Sequence, residues 1–416
     1  MFALVIAATL AASTGPSSSA APYVLPIAPG ANTISLLTVS DSVNGYRMPG
    51  TPDGLGAFDN GDGTFTLLMN HELPRALVSK WTIRKSDLAV IAGEDLIKQI
   101  AVWNRATNSY DPPATGVPIA NLCSATFDRA TGIFFDGEET FEGRVFAHLL
   151  DGTSYELPRF GHAVWENAVP HPAAVKTIVV GLDDTNGGYL YVYIGEKRAS
   201  GNAIERAGLT NGSLYVVRAT GGSFQLLNLG NVSNVGSGGT QRALSASVGA
   251  TQWERTEDGS WDPTHPNDFY FVTTATFDGF SRLWRLRFDD LADPARGGKL
   301  DMLLDGTEGP KMMDNIVVRP RGDVIIQEDP AGPLVARIWR YDPALDSVEV
   351  IAQHDPRLFD GPNAISTSEE SSGVIDASDL LGDGWLLFDV QTHTANQGGQ
   401  LLAMHLPSPR RRVVRH

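Results

Sequence analysis

Short runs of apolar and aromatic residues, alternating or continuous, recur along this chain and are cut by turn-forming residues. Residues 65–69 follow Asp62-Gly63, 189–194 follow Gly187-Gly188, and 214–217 follow Asn211-Gly212. Further runs occupy 269–273, 283–288, 338–341 and 385–390, the last after Gly382-Asp383-Gly384. Residues 316–318 and 324–327 face each other across Arg321-Gly322 as a hairpin. Only 83–102 offers a helix-like stretch. The pattern predicts an all-β chain with a few helical insertions. Hairpins at broadly regular spacing build sandwiches, barrels or propellers, and at this length a single β-propeller closes most naturally. No exact repeat is visible, so blade boundaries are not read from the sequence.

Carboxylates gather where these runs end. Asn70-His71-Glu72, Gly137-Glu138-Glu139, Trp165-Glu166-Asn167, Asp183-Asp184, Asp314-Asn315, Gln327-Glu328-Asp329, Glu369-Glu370 and Asp389 each abut a strand-like run. Any one such pair is most often a solvated turn. Inner strands of a propeller surround one channel, however, so acids at their ends meet at one mouth. Such a cluster requires compensation, and several hard cations with oxygen ligands, calcium first, supply it.

Composition narrows the setting. The 416 residues include 43 glycines and 25 prolines, as a turn-rich β protein needs, and one cysteine, which excludes an intrachain disulfide framework. With 32 basic against 48 acidic residues, the net charge of −16 disfavours nucleic acid and anionic membrane as partners. An anionic substrate is admissible only where local cations reverse that field. A monomer is expected.

Residues 1–21 resemble an export signal: an apolar run is followed by small residues ending Ser18-Ser19-Ala20-Ala21. The usual positive start is missing. A periplasmic or extracellular location is expected, with residues 22–409 as the propeller. Residues 410–416, containing Arg410-Arg411-Arg412, form a basic tail.

The landmarks together resemble the PhoX family of secreted bacterial alkaline phosphatases, six-bladed propellers with a metal cluster at the central mouth. Asn70-His71-Glu72 is similar to the family's early Asn-His-Glu signature, and Glu138-Glu139 to its acidic ligand pair. Gly161-His162 through Trp165-Glu166-Asn167 resembles a glycine–histidine–glutamate region. Met313-Asp314-Asn315-Ile316 with Gln327-Glu328-Asp329 resembles the late aspartate–asparagine hairpin. Glu370-Ser371-Ser372-Gly373, Gly382-Asp383-Gly384 and Gln391-Thr392-His393 match the closing segment. The resemblance implies six blades, phosphate ester hydrolysis and a metal cluster. It also implies an iron-binding cysteine directly before the acidic pair, where this chain has Gly137. Cys123 is then expected to be a small buried hydrophobe, and iron is not expected to dominate.

Phosphate ester hydrolysis needs charge stabilised on nonbridging oxygens, which clustered dications provide. Glu139, Glu166, Asp314 and Glu370 are expected as inner ligands, with Glu138, Asp183, Asp184, Glu328, Asp329 and Asp389 as further ones. His71 and His393 are candidates for binding phosphate or moving a proton; a structural role competes equally. Lys311, Lys197 and Arg198 are candidate clamps for an anionic substrate, against a plainer role as surface ion-pair partners. Two other functions stay open: a calcium-dependent propeller lactonase and a noncatalytic, calcium-stabilised binding propeller. Gly236-Ser237-Gly238-Gly239 reads as a flexible loop with no lysine or helix after it, so it is no phosphate cradle. Asp59-Asn60-Gly61-Asp62-Gly63 reads as a hairpin turn.

Overall fold

The computed structural model describes residues 11–330, 332, 334–393 and 398–407. The first ten residues of the expected export segment and the basic tail at 410–416 lie outside them. Residues of the strand Ala11–Thr14 pair in parallel with Asn32–Thr38.

Alternation along each strand decides the architecture. In Ile133–Glu138, Phe134 packs against Leu68, Val78 and Phe146 on one side. Its neighbours Ile133 and Phe135 pack against Trp165, Val179 and Tyr191 on the other. In Trp385–Gln391, Leu387 joins Leu55, Phe65 and Leu401, while Leu386 and Phe388 join Ile325 and Ile338. Side chains alternate across a strand, so each sheet has two apolar faces and must be covered twice. A closed ring of sheets, each sandwiched between two others, satisfies that demand.

The inner strands show the ring. Pro52–Asp59, Leu122–Asp128, Trp165–Pro170, Thr256–Trp261, Met313–Val318 and Glu370–Asp376 touch one another in this order, and the last returns to the first. Each opens an antiparallel unit running outward from the axis. Two of these units join at their outer edges, where Ser223–Gly230 meets Gly298–Leu304, giving a nine-stranded sheet. The C-terminal unit is completed from the N-terminus: Asn32–Thr38 pairs antiparallel with Gln400–His405.

Two expectations are corrected. The stretch 83–102 is not helical; it holds the end of Leu77–Arg84, then Val90–Asp95 and Gln99–Ala101. Trp81, Ile83 and Val90 enter one core at strand spacing, which outweighs local helix propensity. Conversely, a helix does follow Gly236-Ser237: Gly238–Ser247, capped by the Ser237 hydroxyl accepting from Thr240 N–H at 3.1 Å. Asp59 to Gly63 forms the expected hairpin turn, with Asp59 paired to Phe65. No helix of the described residues is long and apolar enough to cross a membrane.

Candidate metal centre

A common register builds the mouth. The inner strands start beside the last residue of the next strand: Pro52 pairs with His71, Leu122 with Glu138, and Trp165 with Asp183. Thr256 pairs with Thr273, Met313 with Glu328, and Glu370 with Gln391. A β-bulge follows in every one of these pairs, the device by which strands re-aim side chains near functional sites. Thr51, Asn121, Arg255 and Met312, each just before an inner strand, have positive φ. That backbone is costly outside glycine, and it is concentrated at the mouth.

Equivalent positions therefore converge. The second residue of five inner strands is Asp53, Cys123, Glu166, Glu257 or Asp314, and Glu370 opens the remaining strand. Glu72, Glu139, Asp184 and Asp329 stand one residue past the ends of the second strands. Ligand atoms of Glu166, Glu257 and Asp314 all lie within 4.8 Å of one another. So do those of Cys123, Glu139 and Glu166, and those of Asp329, Glu370 and His393. Glu166 belongs to two groups, so the clusters adjoin.

The electrostatics show what this arrangement lacks. Burial raises the carboxyls of Asp53, Glu139, Glu166, Glu257 and Asp314 well above their ordinary values, and repulsion from neighbouring carboxylates adds to it. Burial, then Glu370, raises Glu72 to about 6. Burial acts on Glu370 too, but His393 outweighs it, together with Ser372 and Gln391, and holds Glu370 below its usual range. The ring of His393 lies 3.1 Å from Glu370 Oε2, which raises it to about 10. Asp53 Oδ1, Glu166 Oε1 and both carboxyl oxygens of Asp389 are buried with no hydrogen-bond partner. Buried oxygens do not stay unpaired without cost. Hard cations held by oxygen donors from several strands fit these residues.

Among the described residues, Arg255 sets a guanidinium into the ring. It donates Nε and Nη2 to Asp184, both at 2.8 Å, and Nη2 also lies 2.7 Å from Glu257. The helix Gly238–Ser247 braces the rim: Arg242 Nη2 meets Asp183 at 2.6 Å, and Gly238 N–H donates to Glu142 at 3.0 Å. Beneath the carboxylates, Asn167 donates to Ser124 and Asp258 at 3.2 and 2.7 Å, and Asp258 accepts from Ile316 N–H. That belt ties adjacent inner strands together. Gly54 permits their approach, since a Cβ there would lie 2.2 Å from Ala125 N.

Of the residues expected from sequence, Glu139, Glu166, Asp184, Asp314, Asp329, Glu370 and His393 come together here. Asp389 sits one layer deeper, close enough to Asp53 and Glu370 for Glu370 to raise its carboxyl beyond what burial does. The others do not join the clusters. Glu138 is held by Arg144 Nε at 2.7 Å, and Asp183 is taken up by Arg242. Glu328 accepts from Lys311 N–H and Trp339 Nε1, both at 2.8 Å, so Lys311 touches an acid through its amide. These acids are the last residues of their strands; the next residue along points to the axis instead. His71 is buried between Gly50 O and Ser79 Oγ, at 2.8 and 2.9 Å, and burial lowers it to about 4, leaving it neutral. Lys197 donates to Ala174 O at 2.8 Å, and its loop follows the strand Leu190–Glu196 at the end away from the mouth.

Sequence reasoning missed Asp53 and Glu257 altogether, and did not place Glu72 among the ligands. It read Cys123 as a small buried hydrophobe, whereas its thiol lies among the carboxylates of Glu139 and Glu166. Gly137 faces Trp165, and a Cβ there would lie 2.3 Å from Trp165 Cβ, so no ligand side chain fits. Cys123 occupies an inner-strand position equivalent to that of Glu166 and joins the cluster instead. The strand position of Cys123, one residue in from Leu122, was the available signal.

No protein-family model and no curated protein matches this sequence. Among solved structures the chain is similar to PhoX of Pseudomonas fluorescens in complex with vanadate, a transition state analogue. That similarity has a TM-score of 0.72 at 13% identity and covers 91% of this chain and 95% of that one. The chain is a β-propeller. A gluconolactonase from Xanthomonas campestris aligns with TM-score 0.41 and 12% identity over 91% of each chain. The calcium-binding protein regucalcin from Agrobacterium tumefaciens aligns with TM-score 0.39 and 15% identity, over 86% of this chain and 90% of that one. At the far end of the propeller channel, below the belt, lies a cavity of about 300 Å3 lined by residues such as Phe127, Val169, Trp261 and Ile316.

Proposed function

We propose that the mouth holds several divalent cations, calcium foremost, and hydrolyses phosphate esters. The observation that carries this reading is the set of buried carboxylate oxygens on Asp53, Glu166 and Asp389 that have no partner, within a ring of acids from successive inner strands. The likeness to a propeller solved with vanadate, a transition state analogue, supports the choice of substrate. We infer six blades, one for each inner strand, with two of them joined in the nine-stranded sheet.

Asp53, Glu139, Glu166, Glu257, Asp314, Glu370 and Asp329 are the residues that would hold the cations, with Asp389 one layer beneath and Cys123 as the sulfur donor. Bound dications supply charge stabilisation for the phosphoryl oxygens and a lowered water pKa. Arg255 keeps Asp184 and Glu257 in place and returns positive charge to the rim. His393 carries its proton between Glu370 and Ser368 O, the latter 2.6 Å from Nδ1, where it can serve a leaving group. The expected export of the chain to the periplasm or beyond accords with a calcium enzyme.

Purified protein assayed on phosphomonoesters, phosphodiesters and lactones, with chelator and with calcium restored, tests the reading. Turnover of phosphate esters that disappears with chelation and returns with calcium is the expected result. Lactone turnover alone, or no turnover by the loaded protein, would overturn it.

A further inference from the structure

Away from the mouth, beside the loop that carries Arg198, the structure holds a cavity of about 460 Å3. Trp103, Tyr110, Arg159, Arg198, Asn202 and Ser233 are among the residues lining it, and none belongs to the carboxylate clusters. Arg159 Nη1 donates to Gly212 O at 2.6 Å, which fixes its guanidinium on the wall. Arg198 lines the same cavity, so two guanidinium groups share its wall. Among the described residues neither arginine forms a salt bridge with a carboxylate. Glu205, the one acid on the wall, is committed to Asn202 N–H at 2.8 Å.

This is a local excess of positive charge on a chain of net charge −16, and it favours an anion. Paired guanidinium forks match the oxygens of a carboxylate or phosphate. The rest of the wall adds a second preference. Trp103 and Tyr110 pack edge to face at 5.2 Å and 80°, forming an aromatic side, and Trp103 Nε1 is a buried donor without a partner. Asn202 and Ser233 add neutral polar groups to the wall. A ring with hydroxyls satisfies the aromatic and polar walls together, and the volume lies in the range of small-molecule sites.

We propose that this cavity binds a hydroxylated ring bearing one oxyanion, a sugar acid or a sugar phosphate, at a site separate from the mouth. Calorimetric titration of the full, calcium-loaded chain with glucuronate, glucose 6-phosphate and uncharged glucose tests it. Glucuronate, glucose 6-phosphate or both should bind, and glucose should not; which anion binds identifies the oxyanion. Arg198→Ala, an exposed substitution with little risk to folding, should weaken that binding roughly tenfold or more. Trp103→Ala should weaken it as well, while neither variant changes metal content. Because glucose 6-phosphate also suits the mouth, Glu370→Gln is titrated in parallel, and binding at the cavity should survive it. Absence of binding by either anion at millimolar concentration, equal binding of glucose, or unchanged affinity in Arg198→Ala would each overturn the proposal.

Discussion

Cys123 and Glu166 occupy the same place in successive inner strands, each one residue in from the mouth, and their ligand atoms lie within 4.8 Å of each other. A thiol in a ring of carboxylates is therefore a member of the ring rather than a filler of the core. Burial raises its pKa well above the ordinary thiol value, and Asp53, Glu166 and Glu139 add to it, so without a cation it stays protonated.

Cys123→Ser keeps the size and removes the sulfur. The variant should fold with a melting temperature close to the parent's and lose one class of bound ion in elemental analysis. Turnover should fall on the order of tenfold to a hundredfold. Parental metal content would show that Cys123 packs without binding.

Glu370→Gln removes the charge shared by His393 and the Asp329 group while retaining shape. Hydrolysis should drop on the order of a hundredfold, or about 2.7 kcal/mol of barrier. Steady-state rates with calcium saturating would check this, and circular dichroism would confirm the fold. Parental turnover would remove Glu370 from the centre.

Without metal, the protein should be more stable at pH 5 than at pH 8. In the folded chain Glu72 and Asp183 are raised to about 6, and Glu328 and Glu369 to about 7, burial being the largest cause in each. A carboxyl with a raised folded pKa contributes stability that is complete below its unfolded value, near 4, and lost as pH rises through the folded value. His393, raised to about 10 by Glu370, acts in the same direction from its unfolded value of 6.5 upward. His71 and His354, lowered by burial to about 4 and 3, act in the opposite sense up to their unfolded value of 6.5, but the raised carboxyls outnumber them. Thermal melts in chelator should therefore be lower at pH 8 than at pH 5, and calcium should flatten the curve. A chelated protein whose melting temperature rises over that interval would contradict the account.

Gly54→Ala should destabilise the ring by about 3 kcal/mol, because the added methyl must displace backbone of the adjoining inner strand. Gly61→Ala serves as the contrast. Its Cβ meets nothing within 4 Å, and only its φ of +77° is penalised, at about 1 kcal/mol. Chemical denaturation of both variants measures the difference. Equal losses would mean that the inner strands are not closely packed.

The sequence was most informative where periodicity and chemistry coincide. Glu139, Asp314 and Glu370 were legible because each adjoins an unmistakable apolar strand and has a motif beside it. Asp53 and Glu257 were not, since Pro52-Asp53-Gly54 and Glu257-Asp258-Gly259 spell turns in local chemistry. In the structure those glycines sit within strands at the bulges, where Gly259 lies against Phe269. Which acid of a pair faces the axis was equally hidden. Glu138 and Glu139 differ only in strand parity, and register is fixed by partners distant in sequence. Arg144 and Arg242, which claim Glu138 and Asp183, become visible as partners only once the chain is folded.

The pairing of Asn32–Thr38 with Gln400–His405 has a consequence in time. The ring stays open until nearly the whole chain has emerged, and Asp53 cannot meet Glu370 before then. The acids that face each other across the closing blade are thus the last to be brought together. On the proposed reading of the mouth, its complete donor set exists only after the final strand has docked.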